Sequence, residues 1–305
     1  MKETFYSNGK LLITGEYLVL DGAKAFALPT KFGQNLIVEN NPNHEIHWKS
    51  FDADGQIWFE DTISFSEIQN QVPQEPDTIK TTLLSILHEA YVLNPSFIKD
   101  DSGYTITTQL TFPKQWGLGT SSTLINNIAQ WLKIDAFVLL NNSFGGSGYD
   151  IACAQNNGPV IYHLERAKPI VEKVLFNPNF LENLYFVYLN KKQNSKAAIQ
   201  SYYSQRNNNL EQIIATNNQI TQAVLNANTL KNFANALQEH EAKLSIILKM
   251  KTVKETLFPD FNGVVKSLGA WGGDFVMVLS ESDPTDYFKQ KGYETVIPYD
   301  EMILR

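Results

Sequence analysis

The spacing of apolar residues predicts helices in both halves of the chain. Apolar side chains recur three and four positions apart from Ile79 to Tyr91, and Asn94-Pro95 ends the pattern. The same spacing continues through 124–132 and predicts a second helix there. Three more helices are predicted further along, over residues 209–226, 229–249 and 284–290.

Alternating and β-rich segments predict strands between these helices. Strict alternation of apolar and polar residues predicts a half-buried strand from Tyr104 to Phe112, which Pro113 ends. The stretch Lys10–Leu20 predicts two short strands joined by a turn at Thr14-Gly15-Glu16. Further strands are predicted at 35–39, 44–50, 56–59, 184–189, 275–279 and 294–297. The pattern weakens between 165 and 183, so we predict two domains, 1–175 and 176–305.

Composition narrows the possible functions of the chain. Its 305 residues suffice for one large or two ordinary domains, and its formal net charge of -7 argues against nucleic acid as a main partner. A single cysteine, Cys153, excludes an intrachain disulfide and fits a reducing cytoplasm. We find neither the apolar core of a signal peptide nor an apolar run of about 20 residues. A cytoplasmic protein without a membrane partner is therefore expected. We also expect a monomer or a homodimer.

A glycine-containing loop between a strand and a helix suits a polyphosphate ligand. It runs Pro113-Lys-Gln-Trp-Gly117-Leu118-Gly119-Thr120-Ser121-Ser122. Its glycines allow close approach of the backbone, the helix offers N–H groups and the positive end of its dipole, and its hydroxyls can bind phosphate or Mg²⁺. Taken alone, the segment is equally compatible with a capped helix after an ordinary loop.

Three segments in the expected order resemble the motifs of the GHMP kinases, which include galactokinase, homoserine kinase, mevalonate kinase and phosphomevalonate kinase. Gly117–Ser122 resembles the family's Gly-Leu-Gly-Ser-Ser-Ala motif. The stretch from Gly9 to Gly22 is similar to the first motif, and Gly269-Ala-Trp-Gly-Gly-Asp274 resembles the third. The resemblance implies an α+β fold: an N-terminal domain like domain 2 of ribosomal protein S5, which binds ATP, and a ferredoxin-like C-terminal domain. Pro113 and Gly117–Ser122 would then hold ATP, with Ser121 as a ligand of Mg²⁺.

The catalytic residues implied by the resemblance are Asp150 and Lys10. Asp150 lies in Gly148-Tyr149-Asp150-Ile151-Ala152, where mevalonate-type kinases carry a catalytic base in a Ser-Gly-x-Asp sequence. Lys10 matches the lysine of the first motif and would stabilise negative charge near the transferred phosphoryl group. From spacing alone, Asp150 could instead cap a helix starting at Ile151, and Lys10 could be a solvated lysine at a strand end.

The acceptor is expected to be a small metabolite. Glu16 would either contact it or hold the first loop in shape, and the lysines around Lys192 would either bind an anionic group or form a solvated turn. The glycines near the C-terminus would bring backbone to the ligand or form a plain turn. The expected acceptor-binding residues are Glu16, Gly148, Tyr149, Lys192, Ser195, Gly269, Ala270, Gly272 and Gly273.

Three departures from the family pattern bear on function. Leu139–Ser143 contains no carboxylate where mevalonate-type kinases place a Mg²⁺-binding Glu, and the interval before Asp150 is short enough to suggest a missing or reduced helix. Trp271 replaces a motif glycine, so its indole should narrow the cleft or stack on the ligand.

The expected function is an ATP-dependent kinase acting on mevalonate or phosphomevalonate, or a decarboxylase built on the same machinery. A non-catalytic regulatory protein that binds a nucleotide or metabolite is the alternative.

Overall fold

The secondary structure is described for residues 2–70, 78–98, 102–192, 195–204 and 209–305 in a computed structural model, without the side chains of 195–197 and 201. The strands are β1 Lys2–Thr14, β2 Ala25–Asn41, β3 Glu45–Phe51, β4 Ile57–Ser64, β5 Gly103–Leu110, β6 Val160–Glu165, β7 Lys168–Lys173, β8 Leu184–Tyr188, β9 Val264–Ser267, β10 Phe275–Leu279 and β11 Val296–Pro298. The helices are α1 Phe65–Gln69, α2 Ile79–Leu93, α3 Thr120–Leu132, α4 Ala136–Ser143, α5 Tyr149–Gln155, α6 Ser195–Ser204, α7 Leu210–Leu225, α8 Leu230–Leu248, α9 Val253–Leu257, α10 Thr285–Gln290 and α11 Tyr299–Met302.

These elements form two compact units. Unit 1 holds residues 1–9, 32–114 and 118–155, and unit 2 holds residues 10–31, 115–117 and 156–305. β1 and β2 contribute residues to both units because the chain passes from one to the other along them. The domain boundary placed at residue 175 from the sequence stays a prediction.

Unit 1 is a sheet covered by helices. Its strands follow the order β4-β3-β5-β2, in which β3 is parallel to β5 and the other pairs are antiparallel. Ile46, Trp48 and Ile106 are at most 1% exposed and belong to one apolar core with side chains of α2, α3 and α4. Removing this much apolar surface from water is the main force that fixes the sheet against the helices.

Unit 2 contains a four-stranded antiparallel sheet in the order β11-β8-β10-β9. α8 contacts both α7 and β9, and its Phe233 and Leu237 are fully buried. The first residues of β2 pair with β6, which in turn pairs with β7. The combination of sheets and helices confirms the predicted α+β class.

The predicted second strand within Lys10–Leu20 is wrong. β1 runs without interruption to Thr14, and Leu18–Asp21 forms a 3-10 turn instead. Gly15, at φ +90, lies so close to Ala25 that a Cβ atom there would be 2.8 Å from the Ala25 Cα. This close approach and the positive φ of Tyr17 turn the chain away from an extended path.

Several elements lie where the apolar pattern predicted none, and α4 and β7 are two of them. α4 occupies the interval in which a helix was expected to be missing or reduced, and Asp135 caps it by accepting hydrogen bonds from the N–H groups of Phe137 and Val138. β7 lies in the region of weak pattern and contains Pro169. Among the described residues β7 pairs with β6 alone, and an edge position of this kind tolerates proline.

Candidate active site

The glycine loop leads directly into the N-terminus of α3. Lys114–Trp116 forms a 3-10 turn, Gly117 has φ +68, and Gly119 has φ +98 and occupies the N-cap position of the helix. Both values fall in the left-handed region that favours glycine. The first N–H groups of a helix have no partner within it, and Gly119 has no side chain to cap them. The loop therefore presents backbone donors and carries no acidic residue into the first turn.

The hydroxyls of the first turn of α3 differ in exposure. Thr120 and Ser121 are partly exposed, whereas Ser122 is 8% exposed and Leu118 is fully buried. Thr123, which follows them, donates a hydrogen bond to Gln34 Oε1 at 2.8 Å within unit 1. Thr120 and Ser121 are consequently the hydroxyls of this turn that a ligand can reach.

Asp150 lies in the first turn of α5 and is partly exposed. The helix starts at Tyr149, so Asp150 is its second residue and does not have the capping position that the alternative interpretation required. The preceding loop contains Gly145, Gly146 and Gly148 at positive φ, and nothing lies within 4 Å of a Cβ placed at Gly145 or Gly146. A carboxylate at the start of a helix after an open loop can be approached by a ligand.

Within unit 2, Asp274 connects three of the segments predicted to bind ligands. Its backbone N–H donates to Lys191 O at 2.7 Å, and its carbonyl accepts from the Leu189 N–H at 2.8 Å. A Cβ atom added to Gly117 would overlap the Asp274 carboxyl group. The start of the glycine loop, the lysine segment and the third motif therefore meet at one buried aspartate, whose φ of +52 is rare for a residue with a side chain.

Aromatic packing supports the same junction in unit 2. The Trp116 ring meets the Phe275 ring edge to face at a centroid distance of 5.4 Å, and the Tyr188 hydroxyl donates to Gln115 O at 3.2 Å. Lys192 is exposed beside this junction, and Lys10, also in unit 2, is partly exposed. The side chain of Ser195 lies outside the described part of the chain.

The third motif is partly open and partly buried. Gly269, at φ +66, has nothing within 4 Å of a Cβ position, Gly272 has φ +78, and Ala270 and Gly273 are buried. The expectation that Trp271 narrows the cleft or stacks on a ligand is wrong. Trp271 is 5% exposed and packs in a cluster of unit 2 with Tyr17 and Tyr202.

Trp271 is held in this interior position by two hydrogen bonds. Its backbone N–H donates to the Tyr17 hydroxyl at 2.9 Å, and its indole N–H donates to Lys251 O at 3.0 Å. A buried indole N–H usually needs a hydrogen-bond acceptor, and the Lys251 carbonyl is the acceptor here. Trp271 thus anchors the third motif to the first.

Glu16 belongs to a buried charge cluster, which we define as Glu16, His240, Glu241 and Lys266. Lys266 is fully buried and donates to Glu16 Oε1 at 2.6 Å, and its Nζ lies 3.3 Å from Glu241 Oε2. Glu241 also accepts a hydrogen bond from Ser267 Oγ at 2.7 Å. Since Glu16 is 1% exposed, its carboxylate acts inside unit 2, which agrees with the interpretation that it holds the first loop in shape.

Burial is the main cause of the pKa shifts of Glu16 and His240 in this cluster. Desolvation raises the pKa of Glu16 to about 7, although the charge of Lys266 opposes the rise. Burial lowers the pKa of His240 well below its usual value, and its Nε2 accepts the Gly15 N–H at 3.0 Å. The imidazole is therefore neutral, and its 3.4 Å approach to Glu16 Oε2 is not an ion pair.

Sequence analysis did not find Lys266, Glu241 or His240 as parts of the fold around the first and third motifs. One signal was available: Lys266 stands in the short run Val264-Val-Lys-Ser267, all of which is buried as β9. A lysine that follows two valines in a short strand next to a glycine motif indicates a buried partner, because an isolated buried charge is very costly.

The described residues show neither a metal-ligating cluster nor a helix that could span a membrane. Among them, His, Cys, Asp and Glu side chains form no group of three that could hold a metal ion. None of the described helices combines the length and the apolar character that crossing a bilayer requires.

Three kinases of known structure share the architecture of this chain. Methanococcus jannaschii mevalonate kinase aligns with a TM-score of 0.69 at 16% identity over 97% of this chain and 96% of that one. Streptococcus pneumoniae phosphomevalonate kinase, in complex with phosphomevalonate and AMPPNP, gives 0.68 at 16% identity over 95% of each chain. Lactococcus lactis galactokinase, in complex with galactose, gives 0.65 at 13% identity over 95% of this chain and 88% of that one.

These likenesses establish the fold. No protein-family model and no curated protein sequence matches the chain. The chain has the α+β fold of the GHMP kinases, as the three sequence motifs implied, and it shares that fold at low sequence identity.

Proposed function

We propose that this protein is an ATP-dependent kinase of the GHMP type that phosphorylates a small metabolite, with mevalonate or phosphomevalonate as the favoured acceptor. The observation that carries the proposal is the loop at Gly117 and Gly119, which enters the 13-residue helix α3 with both glycines at positive φ and with no acidic residue in the first turn. Helix N-termini built in this way bind phosphate groups. A phosphomevalonate kinase that binds AMPPNP shares the fold, which supports ATP as the donor.

Asp150 is proposed as the general base and Lys10 as the residue that stabilises charge. The acceptor O–H proton would pass to the Asp150 carboxylate while the acceptor oxygen forms a bond to the γ-phosphorus of ATP. The bond from that phosphorus to the β,γ-bridging oxygen breaks, and ADP leaves with the electron pair. With phosphomevalonate, the attacking atom is an oxygen of its phosphate, which brings no such proton when it is ionised.

Ser121 is proposed as a protein ligand of Mg²⁺. Its partly exposed position in the first turn of α3 fits this role, because Mg²⁺ commonly takes few protein oxygens and completes its shell with phosphate oxygens and waters. When bound, the ion would neutralise charge on the β- and γ-phosphates. Thr120 and the N–H groups of Gly119 and Thr120 are proposed to hold the same phosphates.

The acceptor is proposed to bind near the junction at Asp274. Lys192 is exposed there and could pair with a carboxylate or phosphate, and Gly269 offers open backbone. Gly148 and Tyr149, which adjoin the proposed base in the chain, are also proposed to contact the acceptor. An anionic acceptor such as mevalonate or phosphomevalonate suits an exposed lysine better than a neutral sugar does.

Replacing Gly117 by alanine is expected to weaken ATP binding by about tenfold or more, equivalent to ~1.4 kcal/mol. The added methyl group would overlap the Asp274 carboxyl group, and φ +68 is unfavourable for alanine, so the loop must shift. Isothermal titration calorimetry with ATP and Mg²⁺ measures the effect.

The matched control is Gly158→Ala, because nothing lies within 4 Å of a Cβ at Gly158 and its φ is not in the left-handed region. This variant should bind ATP like the unmodified protein. Equal affinities for all three proteins would show that the loop does not hold the nucleotide, and an unmodified protein that binds no ATP would refute the proposed function.

A further inference from the structure

A chain of hydrogen bonds, buried except at its Gln155 end, links α3 to α5 inside unit 1. Gln155 Nε2 donates to Asn126 Oδ1 at 3.0 Å, and Asn126 Nδ2 donates to Ser7 Oγ at 2.8 Å. Ser7 Oγ donates to Asn127 Oδ1 at 2.7 Å, and Asn127 Nδ2 donates to Gln34 O at 2.9 Å. We call this series, from Gln155 to Gln34 O, the amide relay. Every donor and acceptor in it points in the same direction along the chain of bonds.

The burial of the relay makes its residue types unexpected. Ser7 and Asn127 are fully buried and Asn126 is 1% exposed, although these positions lie next to an apolar core. Burying an amide carries a penalty unless each polar atom finds a partner, and apolar residues of similar size would avoid that penalty. Hydrogen bonds oriented in one direction polarise and strengthen one another. The relay therefore acts as one unit that fixes geometry.

The elements joined by the relay are those that carry the proposed catalytic groups of unit 1. Asn126 and Asn127 lie on α3, two turns after the glycine loop, and Gln155 is the last residue of α5, whose first turn carries Asp150. Ser7 on β1 and Gln34 on β2 fix the other end to the sheet. A change in this spacing would move Asp150 relative to the N-terminus of α3.

We propose that Asn126 and Gln155 are positioning residues that set Asp150 relative to the phosphate-binding end of α3. This inference rests on the proposed kinase function for its effect on turnover, but the link between the helices can be tested without it. Displacement of about 1 Å between reacting groups can reduce turnover by as much as 100-fold.

Replacing the exposed Gln155 by leucine is expected to separate positioning from stability. It removes the relay's contact with α5 while leaving the buried bonds of Asn126, Ser7 and Asn127 intact. We expect the α5 amides to exchange hydrogen about tenfold faster and kcat to fall roughly 10- to 100-fold, with KM for ATP little changed. Asn126→Leu should lower kcat similarly, and the double variant should show no further fall.

The control is Thr108→Val, which removes a buried hydrogen bond from Thr108 to Ser50 Oγ (2.9 Å) between β5 and β3 of the same unit. Hydrogen exchange in α5 and kcat should be unaffected in this variant. Unchanged exchange in Gln155→Leu, or faster exchange with unchanged kcat, would overturn the positioning role. If the unmodified protein shows no turnover, the proposed function fails. Faster hydrogen exchange of the α5 amides in Gln155→Leu, but not in Thr108→Val, would still support the link between α3 and α5.

Discussion

Replacing Lys266 by methionine is expected to destabilise the protein by about 3–5 kcal/mol, because it leaves two carboxylates buried without a cation. Lys266 is fully buried, 2.6 Å from Glu16 and 3.3 Å from Glu241, and methionine fills similar space without the charge. Urea unfolding followed by tryptophan fluorescence measures the loss. The control is Lys291→Met, which breaks the exposed ion pair with Asp260 and should shift the midpoint little.

The destabilisation should increase with pH. The pKa of Glu16 is about 7 in the folded protein, above its ordinary value of 4.5. Protonated Glu16 therefore stabilises the fold fully below pH 4.5, and this contribution is lost as the pH rises through about 7. Removing Lys266 takes away the charge that lowers this pKa and extends the loss to higher pH. We therefore expect a smaller difference between Lys266→Met and the unmodified protein at pH 5 than at pH 8. A midpoint shift equal to that of Lys291→Met at both pH values would contradict the account.

The change Asp150→Asn is expected to lower kcat by about 10²- to 10⁴-fold, while the affinity for ATP stays close to that of the unmodified protein. Asparagine has nearly the same size as aspartate but cannot take a proton from the acceptor hydroxyl. If the acceptor reacts through an ionised phosphate instead, the loss should be at the lower end of this range, because only positioning and charge are affected. Initial rates of ADP release at saturating ATP measure the change.

The matched control for this change is Asp135→Asn. Asp135 is an exposed residue of the same unit that caps α4, and asparagine serves equally well as an N-cap, so stability and turnover should both be retained. Turnover by Asp150→Asn within about twofold of the unmodified protein would remove Asp150 from the mechanism.

Regular amphipathic elements could be predicted well from the sequence. α2, α7 and α8 and the strand Phe275–Leu279 were found within a few residues of their observed bounds, because their apolar periods match the faces they bury. The glycine motifs indicated the fold that the structural likenesses show. Each of these signals lies within a short stretch of chain.

Features that depend on distant partners could not be predicted. The turn after Gly15 is decided by its close approach to Ala25, and the interior position of Trp271 by hydrogen bonds to Tyr17 and Lys251. Lys266 donates a hydrogen bond to Glu16, which lies 250 positions earlier in the chain. Pairings of this kind leave no periodic signal in the sequence. For this reason Trp271, which replaces a motif glycine, suggested contact with a ligand, whereas in the structure it packs inside unit 2.

The most direct test of the kinase proposal is ADP release with ATP, Mg²⁺ and a panel of acceptors comprising mevalonate, phosphomevalonate, homoserine and galactose. The account predicts ADP formation with mevalonate or phosphomevalonate, matched one for one by phosphorylated acceptor detected by mass spectrometry. Carbon dioxide release would instead indicate a decarboxylase on the same fold. Absence of turnover with every acceptor, together with absence of ATP binding by calorimetry, would contradict the central claim.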